Sequence, residues 1–534
     1  MRSLSTPWRG GSIREVYTRR TRRSGEHPGP GPGSHVDDDG HHRRTPRRSA
    51  DGIREPRRCG EYRVVGRGRE RGREDVPPED VCSRVRSSRG GIVSVKNVLL
   101  ITLDALRADH LSSYGYERET TPFIDDFATR GARFTSAFSA SSHTREAIPS
   151  ILTGRYPDEA IDDRYRRSAD TIAERLRGGF ATAGFHSNPF VSRAYGFDQG
   201  FETFDDDLRL GGNRLLALAQ RALDKLRNRH YARADEINER SLSWLGSLED
   251  DRPFLLWNHY MDPHGPYEAP AEYQRRFRGE AISRKQSTKL YHRAIKDPES
   301  VTDAERRHLI DLYDAEIAYT DDRLEALFGA LEERGLLEGT LVVITADHGD
   351  AFGENGYYEH PRYLHDELVH VPLILAGPGV TPGTVEAPTS TLDIATTVLS
   401  AVDRSDEGLP GEDLRAVAAT PENYAGRTVI SQARGEKEDS HLRRFSGRGR
   451  ARTVLAEYDV GTEQIEVEYR SDDTSGDDGR AEREGEGEHA ETTVEDRLRA
   501  HVERHADAAP DGSEEEPEEV SDEIQDRLSA LGYK

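Results

Sequence analysis

The chain has 534 residues, a third of them charged, with a net charge of −24 and two cysteines. It exceeds one ordinary domain and can bury a large core, so one large α/β unit with appended segments is expected. No run of about 18 apolar residues occurs, and the pairs Arg19-Arg20 and Arg22-Arg23 lead into no apolar stretch, which argues against a membrane span and for a soluble, cytoplasmic protein.

The charge is unevenly placed. Residues 1–93 carry 22 arginines, no lysine and 13 acids, a balance of +9, which leaves −33 on the remainder. An acidic excess of that size, with little lysine and low hydrophobicity, stays hydrated in brine and repels itself at low salt, so a halophilic source is expected. The first 93 residues are rich in Arg, Gly, Pro and Ser, as in Gly29-Pro30-Gly31-Pro32-Gly33, and have too little apolar surface to order themselves. An Arg-Gly run such as Arg67-Gly68-Arg69 can bind nucleic acid by counterion release. The abrupt switch at Val93 to a patterned strand favours another interpretation, a non-Met start near Val93 with 1–93 a mis-assigned upstream region. No nucleic-acid role is expected of the main domain. Both cysteines, Cys59 and Cys82, lie in this stretch, so disulfides and cysteine-ligated zinc are excluded from the rest.

From Lys96 the pattern alternates between strands and helices. Lys96 to Asp104 (KNVLLITLD) is a largely apolar run ending in an acid, which suits a strand buried on both faces. Pro253 to His259 (PFLLWNH) and Leu341 to Asp347 (LVVITAD) repeat the design, and Asp303 to Arg334 reads as a long helix. These features predict an α/β fold, a central, mostly parallel or mixed sheet flanked by helices, over a domain of residues 94–415. Residues 416–534 are expected to form a small C-terminal α+β region. It would hold a hairpin at Val454 to Tyr458 and Gln464 to Tyr469, a helix at Val494 to His505, acidic linkers at Ser471 to Ala490 and Ala506 to Glu519, and a terminal helix at Val520 to Leu531.

Polar residues at the carboxyl ends of such strands receive the functional reading first. Asp104 ends one strand and Asp347-His348-Gly349 ends another; carboxylate oxygen and imidazole nitrogen together suit a divalent cation. Alone, an Asp at a strand end reads as a cap or turn residue, and the joint occurrence shifts the odds. The segment His143 to Pro157 (HTREAIPSILTGRYP) reads as a loop entering a helix that ends near Gly154. A hydroxyl there would face backbone N–H donors and the positive end of the helix dipole, making Thr144 a candidate nucleophile; the simpler reading is an N-cap.

The run Leu103-Asp104-Ala105-Leu106-Arg107-Ala108-Asp109-His110, then Ser113-Tyr114-Gly115-Tyr116 and Thr121-Pro122-Phe123-Ile124-Asp125, resembles the opening of the sulfatase family within the alkaline-phosphatase superfamily. Leu152 to Pro157 (LTGRYP), Tyr313 to Tyr319 (YDAEIAY), Thr345 to Asp350 (TADHGD) and His370 to Leu373 (HVPL) are similar to later landmarks of that family, in the same order, and Leu528 to Tyr533 (LSALGY) echoes it at the end. The resemblance, of a haloarchaeal type, implies Asp104, Asp347 and His348 as ligands of one divalent cation (Ca, Mg, Mn or Zn). It also implies Thr144 at the nucleophile position, His264 as a substrate-binding or acid histidine, and His360 facing the substrate anion. His365 and His370 read as packing residues. Asp262 with His264 and His360 could in principle hold a second metal, but a single site is preferred.

The departures from the family pattern matter. Sulfatases that act through formylglycine need Cys or Ser where this chain has Thr144, and Glu146 and Ile148 stand where the family has Pro and Arg. Ala105 replaces a frequent second Asp. Threonine nucleophiles are implied instead by phosphodiesterase and phosphotransferase relatives. The expected function is a metal-dependent, sulfatase-like hydrolase of sulfate or phosphate esters, its substrate a small molecule or a glycan. The alternatives are a phosphotransferase with a phospho-Thr intermediate and a non-catalytic anion-binding relative.

Overall fold

The computed structural model describes residues 13–18, 94–207, 231–248, 251–471 and 493–505. Its centre is an eight-stranded sheet in the order Gly383–Val385, Ala132–Phe134, Leu373–Ala376, Thr340–Ala346, Asn97–Leu103, Phe254–Tyr260, Ala181–Phe185 and Thr203–Asp205. All neighbours are parallel except at Leu373–Ala376, which runs against both of its partners, so the sheet is mixed through one reversed strand.

The three central strands are buried along their whole length, as their unbroken apolar runs predict. Side chains alternate between faces with the period of two that a strand imposes. Leu99, Ile101 and Leu103 join Leu256, Val342 and Ile344 in one core, while Val98 and Leu100 join Leu255, Trp257, Leu341 and Val343 in the other. The first core is covered by the helix Asp303–Glu333, which supplies Leu309, Leu312, Tyr313 and Ile317, and the second by Thr144–Thr153 and Asp393–Ala401. The long helix opens on a capping box at Thr302 and Glu305, a sequence signal that fixes where it starts.

Register positions the site. Leu103 pairs with both Tyr260 and Ala346, so the chain leaves the three central strands at one level. Asp104 N–H still donates to Tyr260 O at 2.9 Å. Asp104, Asp347 and the loop from Met261 therefore emerge side by side at the carboxyl edge.

A second, antiparallel sheet has the order Ile13–Thr18, Gln464–Ser471, Arg452–Asp459, Leu442–Arg448 and Val429–Arg434. The expected hairpin is its centre, and the expected helix, Val494–His505, packs Leu498 and Val502 against it. Six residues of the stretch expected to lack order, Ile13–Thr18, thus form an edge strand on Gln464–Ser471. The rest of 1–93, the acidic linkers beyond Ser471 and the terminal helix lie outside the described residues. The second sheet also braces the catalytic edge, since Gln432 N–H donates to Ala140 O at 2.8 Å and the Ser431 hydroxyl to Ser139 O at 2.6 Å, just before the Thr144 helix. Among the described residues no helix is long and apolar enough to cross a membrane.

Candidate active site

Thr144 is the first residue of its helix; its N-cap is His143, whose Nδ1 accepts from Arg145 N–H at 3.2 Å. The simple N-cap reading of Thr144 therefore does not hold. Its hydroxyl is fully buried and lies 3.1 Å from His348 Nε2. Gly154 closes the helix in the left-handed conformation at φ +68°, as its place in the sequence suggests.

Asp104, Asp347 and His348 each offer one ligand atom, all within 4.8 Å of one another and fully buried. Asp347 Oδ1 accepts from Ala105 N–H (3.2 Å) and His348 N–H (2.9 Å), and Asp104 Oδ2 accepts from Asn188 Nδ2 at 2.8 Å, with His259 Nε2 at 3.3 Å. The second oxygen of each carboxylate, Asp104 Oδ1 and Asp347 Oδ2, has no hydrogen-bond partner. His348 Nε2 stands 3.5 Å and 3.6 Å from those two oxygens. Because His348 Nδ1 faces the carbonyl of Gly349 at 2.9 Å, and a carbonyl only accepts, Nδ1 carries the proton and Nε2 presents a lone pair. Two orphaned buried oxygens and one imidazole lone pair converge, an arrangement that is costly without a cation and fits a divalent one.

The electrostatics agree. Burial pushes the Asp347 carboxyl up, and the Asp104 carboxylate beside it pushes in the same direction. For Asp104 burial acts upward too, but the neighbouring His264 and His259 outweigh it and hold the group well below the ordinary carboxylate range. One site cannot comfortably hold both anions without a positive charge between them.

His264 and His360 face this centre. The His360 ring centroid is 4.4 Å from that of His348, and His264 Nε2 is 3.0 Å from His360 Nε2. His264 Nδ1 faces Gly265 O and so carries a proton, which leaves Nε2 to settle. Burial lowers both histidines, but the carboxylates of Asp104 and Asp350 overturn it for His264 and raise that group, while His348 and His264 reinforce it for His360. Two imidazole nitrogens at that distance share one proton, so one ring donates through Nε2 and the other accepts. Asp350 is itself anchored by the Tyr267 hydroxyl at 2.5 Å.

The arrangement gathers Asp104, Thr144, Asp347, His348, His264 and His360 in one pocket. Asp262 is not part of it, because its carboxylate is taken by Arg233 (2.6 Å) and Ala234 N–H (3.0 Å). Among the described residues the Asp104, Asp347 and His348 group is the one cluster able to hold a metal. His370 Nε2 donates to Thr135 O at 2.9 Å and His365 stacks on Tyr357 and Tyr363, consistent with packing roles. Sequence reasoning missed Asn188 and His259, although each stands at or just past a strand end, at Ala181–Phe185 and Phe254–Tyr260. Glu146, where the family has Pro, is fully buried between the Ser141 hydroxyl (2.6 Å) and Arg362 (3.1 Å).

Gly349 follows the ligand pair, and a Cβ there would stand 2.2 Å from the backbone oxygen of Glu367. Gly349→Ala is expected to destabilise the fold by about 1–3 kcal/mol, because backbone must move to make room. A thermal melt measures it, and an unchanged melting temperature contradicts it.

A mixed sheet with a hydroxyl, two carboxylates and imidazoles at its carboxyl edge has the alkaline-phosphatase-like architecture. Among solved structures, phosphonate monoester hydrolase of Agrobacterium radiobacter superposes with a TM-score of 0.56 at 20% identity, covering 69% of this chain and 90% of that one. The family model described as Sulfatase matches residues 96–404, and the chain belongs to that family. Among curated relatives it is 24% identical to the uncharacterized sulfatase YidJ of Escherichia coli over 60% of this chain and 71% of that one. It is also 25% identical to the low-salt glycan biosynthesis sulfotransferase Agl7 of Haloferax volcanii, over 62% of this chain and 65% of that one.

Proposed function

We propose that this chain is a metal-dependent hydrolase of sulfate or phosphate esters in which Thr144 is the nucleophile. The observation that carries the reading is the buried Thr144 hydroxyl set against His348 Nε2 and two carboxylate oxygens without partners. Asp104, Asp347 and His348 would hold the cation, which when bound favours the alkoxide and neutralises charge on the ester oxygens. Thr144 supplies the attacking oxygen at the entrance of its helix, where backbone N–H groups favour an anion. His264, whose Nε2 lies against His360 in the resting site, turns that nitrogen's proton to the departing alcohol oxygen when substrate is bound. Asn188 and His259 fix the rotation of the Asp104 carboxylate.

A formylglycine hydrate can expel its anion by elimination, whereas a threonine ester must be opened by in-line attack of water at phosphorus or sulfur. This favours phosphorus, while family membership favours sulfate esters. The substrate is proposed to be a small-molecule or glycan ester, and the protein a halophilic, cytoplasmic one. Turnover of aryl sulfate, phosphate, phosphodiester and phosphonate esters in high salt, with and without Mn, Mg, Ca or Zn, tests the reading. Activity on at least one, abolished by chelation, is expected; inactivity on all with every metal would point to an anion-binding relative. A second reading, transfer from Thr144 to an alcohol, gains weight from the likeness to the Haloferax volcanii sulfotransferase. Added acceptor alcohol diverts product from inorganic anion to a new ester only if transfer occurs.

The acid form of His264 sets the alkaline limit. As that form does the work, kcat is expected to fall as pH rises through the titration of His264, which the carboxylates of Asp104 and Asp350 push up and a cation held at Asp104 draws back down. His264→Gln should lower kcat by on the order of a hundredfold and erase that limb. A pH–rate profile with the same limb in the variant would contradict the assignment.

A further inference from the structure

Beside the reacting centre lies a group of arginines that the proposed chemistry does not use. The Tyr165 ring has the guanidinium carbons of Arg145, Arg434 and Arg362 at 4.7, 5.6 and 6.0 Å from its centroid. Arg145 follows Thr144 directly and also covers Phe190 at 4.2 Å, whose ring lies 5.2 Å from that of His143. Arg443 stands close to Arg434. Burial first, and then the charge of Arg434, pull its guanidinium below the ordinary arginine range.

Among the described residues the close acids are engaged by Arg362. Arg362 engages both Glu146 (3.1 Å) and Glu436 (2.5 Å). Asp163 reaches only 3.9 Å from Arg434, and its side chain is 42% exposed. Arg434 otherwise donates to the carbonyls of Asp162 and Ile161, and Arg443 to those of Ser440 and Leu442, with its buried Nε left without a partner. Among the described residues Arg434 and Arg443 thus have carbonyl partners and no carboxylate closer than 3.9 Å.

The platform is also built rather than incidental. Tyr165 holds a left-handed backbone at φ +56°, unusual for a side chain of its size. The turn is locked by Asp162 Oδ1, which accepts from the N–H groups of Arg164 (2.9 Å) and Arg166 (2.8 Å). Strain kept in place by such a lock is typical of functional surfaces. The second sheet supplies Arg434 and Arg443, which gives that region a place beside the pocket.

We propose that Arg434 and Arg443, with Tyr165 and backed by Arg145 and Arg362, form a second oxyanion subsite, so that the alcohol portion of the substrate carries a further sulfate, phosphate or carboxylate group. This rests on the reading of the Thr144 pocket as the place where the first anion binds. Guanidinium groups bind oxyanions through paired N–H donors, and a partly buried cluster keeps that attraction in salt better than an exposed one.

Non-hydrolysable probes separate the two ideas. Titration calorimetry should show wild-type protein binding a benzenedisulfonate roughly tenfold or more tighter than benzenesulfonate, with a sulfobenzoate reporting whether a carboxylate serves as the second group. Arg434→Gln and Arg443→Gln should each bring that ratio toward unity, and Arg434→Lys and Arg443→Lys should retain most of it. Equal binding of the two sulfonates by wild type, or an intact ratio in both glutamine variants, overturns the proposal. Where a variant fails to fold, the wild-type ratio and its decay with added chloride decide. A wild-type ratio that the glutamine variants lose, in a protein whose Thr144 proves inert, would sustain the subsite and sink the nucleophile, while an absent wild-type ratio in an active enzyme would do the reverse.

Discussion

Thr144→Ala is expected to lower kcat at least about a thousandfold on every ester that the wild-type protein hydrolyses, with bound metal retained. The effect should fall on kcat rather than on stability. Helix capping belongs to His143, so the substitution removes no cap, and the small cavity left by a hydroxyl and a methyl costs about 1–2 kcal/mol. Steady-state kinetics with metal analysis of the same preparation check it. Equal kcat values for variant and wild type would remove Thr144 from the chemistry.

The second large effect concerns the cation. Asp347→Ala and His348→Ala are each expected to weaken metal binding by more than about a hundredfold, since each removes a direct ligand atom from a group of three. Chelation should destabilise wild-type protein by about 2.7 kcal/mol from a starting point of metal at a hundred times Kd, and should hardly shift either variant. Asp347→Asn carries a sharper sign. In metal-free protein the Asp347 carboxyl is pushed up by burial and by Asp104, so neutralising it should raise the melting temperature of the chelated form while abolishing the gain from added metal. Stoichiometric metal in both alanine variants would point to a different site.

What the sequence revealed and what it hid follow from the range of the interactions. The apolar runs ending at Leu103, Tyr260 and Ala346 announce buried strands, and Asp104 and Asp347, directly after two of them, announce a site, because strand period and strand ends are local properties. The hairpin and the helix Val494–His505 were legible for the same reason. Asn188 was not, since its contact with Asp104 spans 84 positions and is created by the order of strands in the sheet. Arg362 is tied to Glu146 across an even longer stretch, and neither residue reads as more than a surface charge until the fold buries both. The reversed direction of Leu373–Ala376 and the pairing of Ile13–Thr18 with Gln464–Ser471 likewise depend on which edge was left open. Thr144 shows the limit within a local motif. Its helix and nearly its position were readable, but a shift of one residue from N-cap to first turn decides whether the hydroxyl satisfies the helix or faces His348.

The most direct measurement is mass spectrometry of protein quenched with acid during turnover of a good aryl ester in the presence of metal. The account predicts a phosphoryl or sulfuryl adduct on the peptide containing Thr144, absent from Thr144→Ala and from chelated protein. Vigorous turnover with the adduct on another residue, or with no adduct under conditions where its breakdown limits the rate, would contradict it.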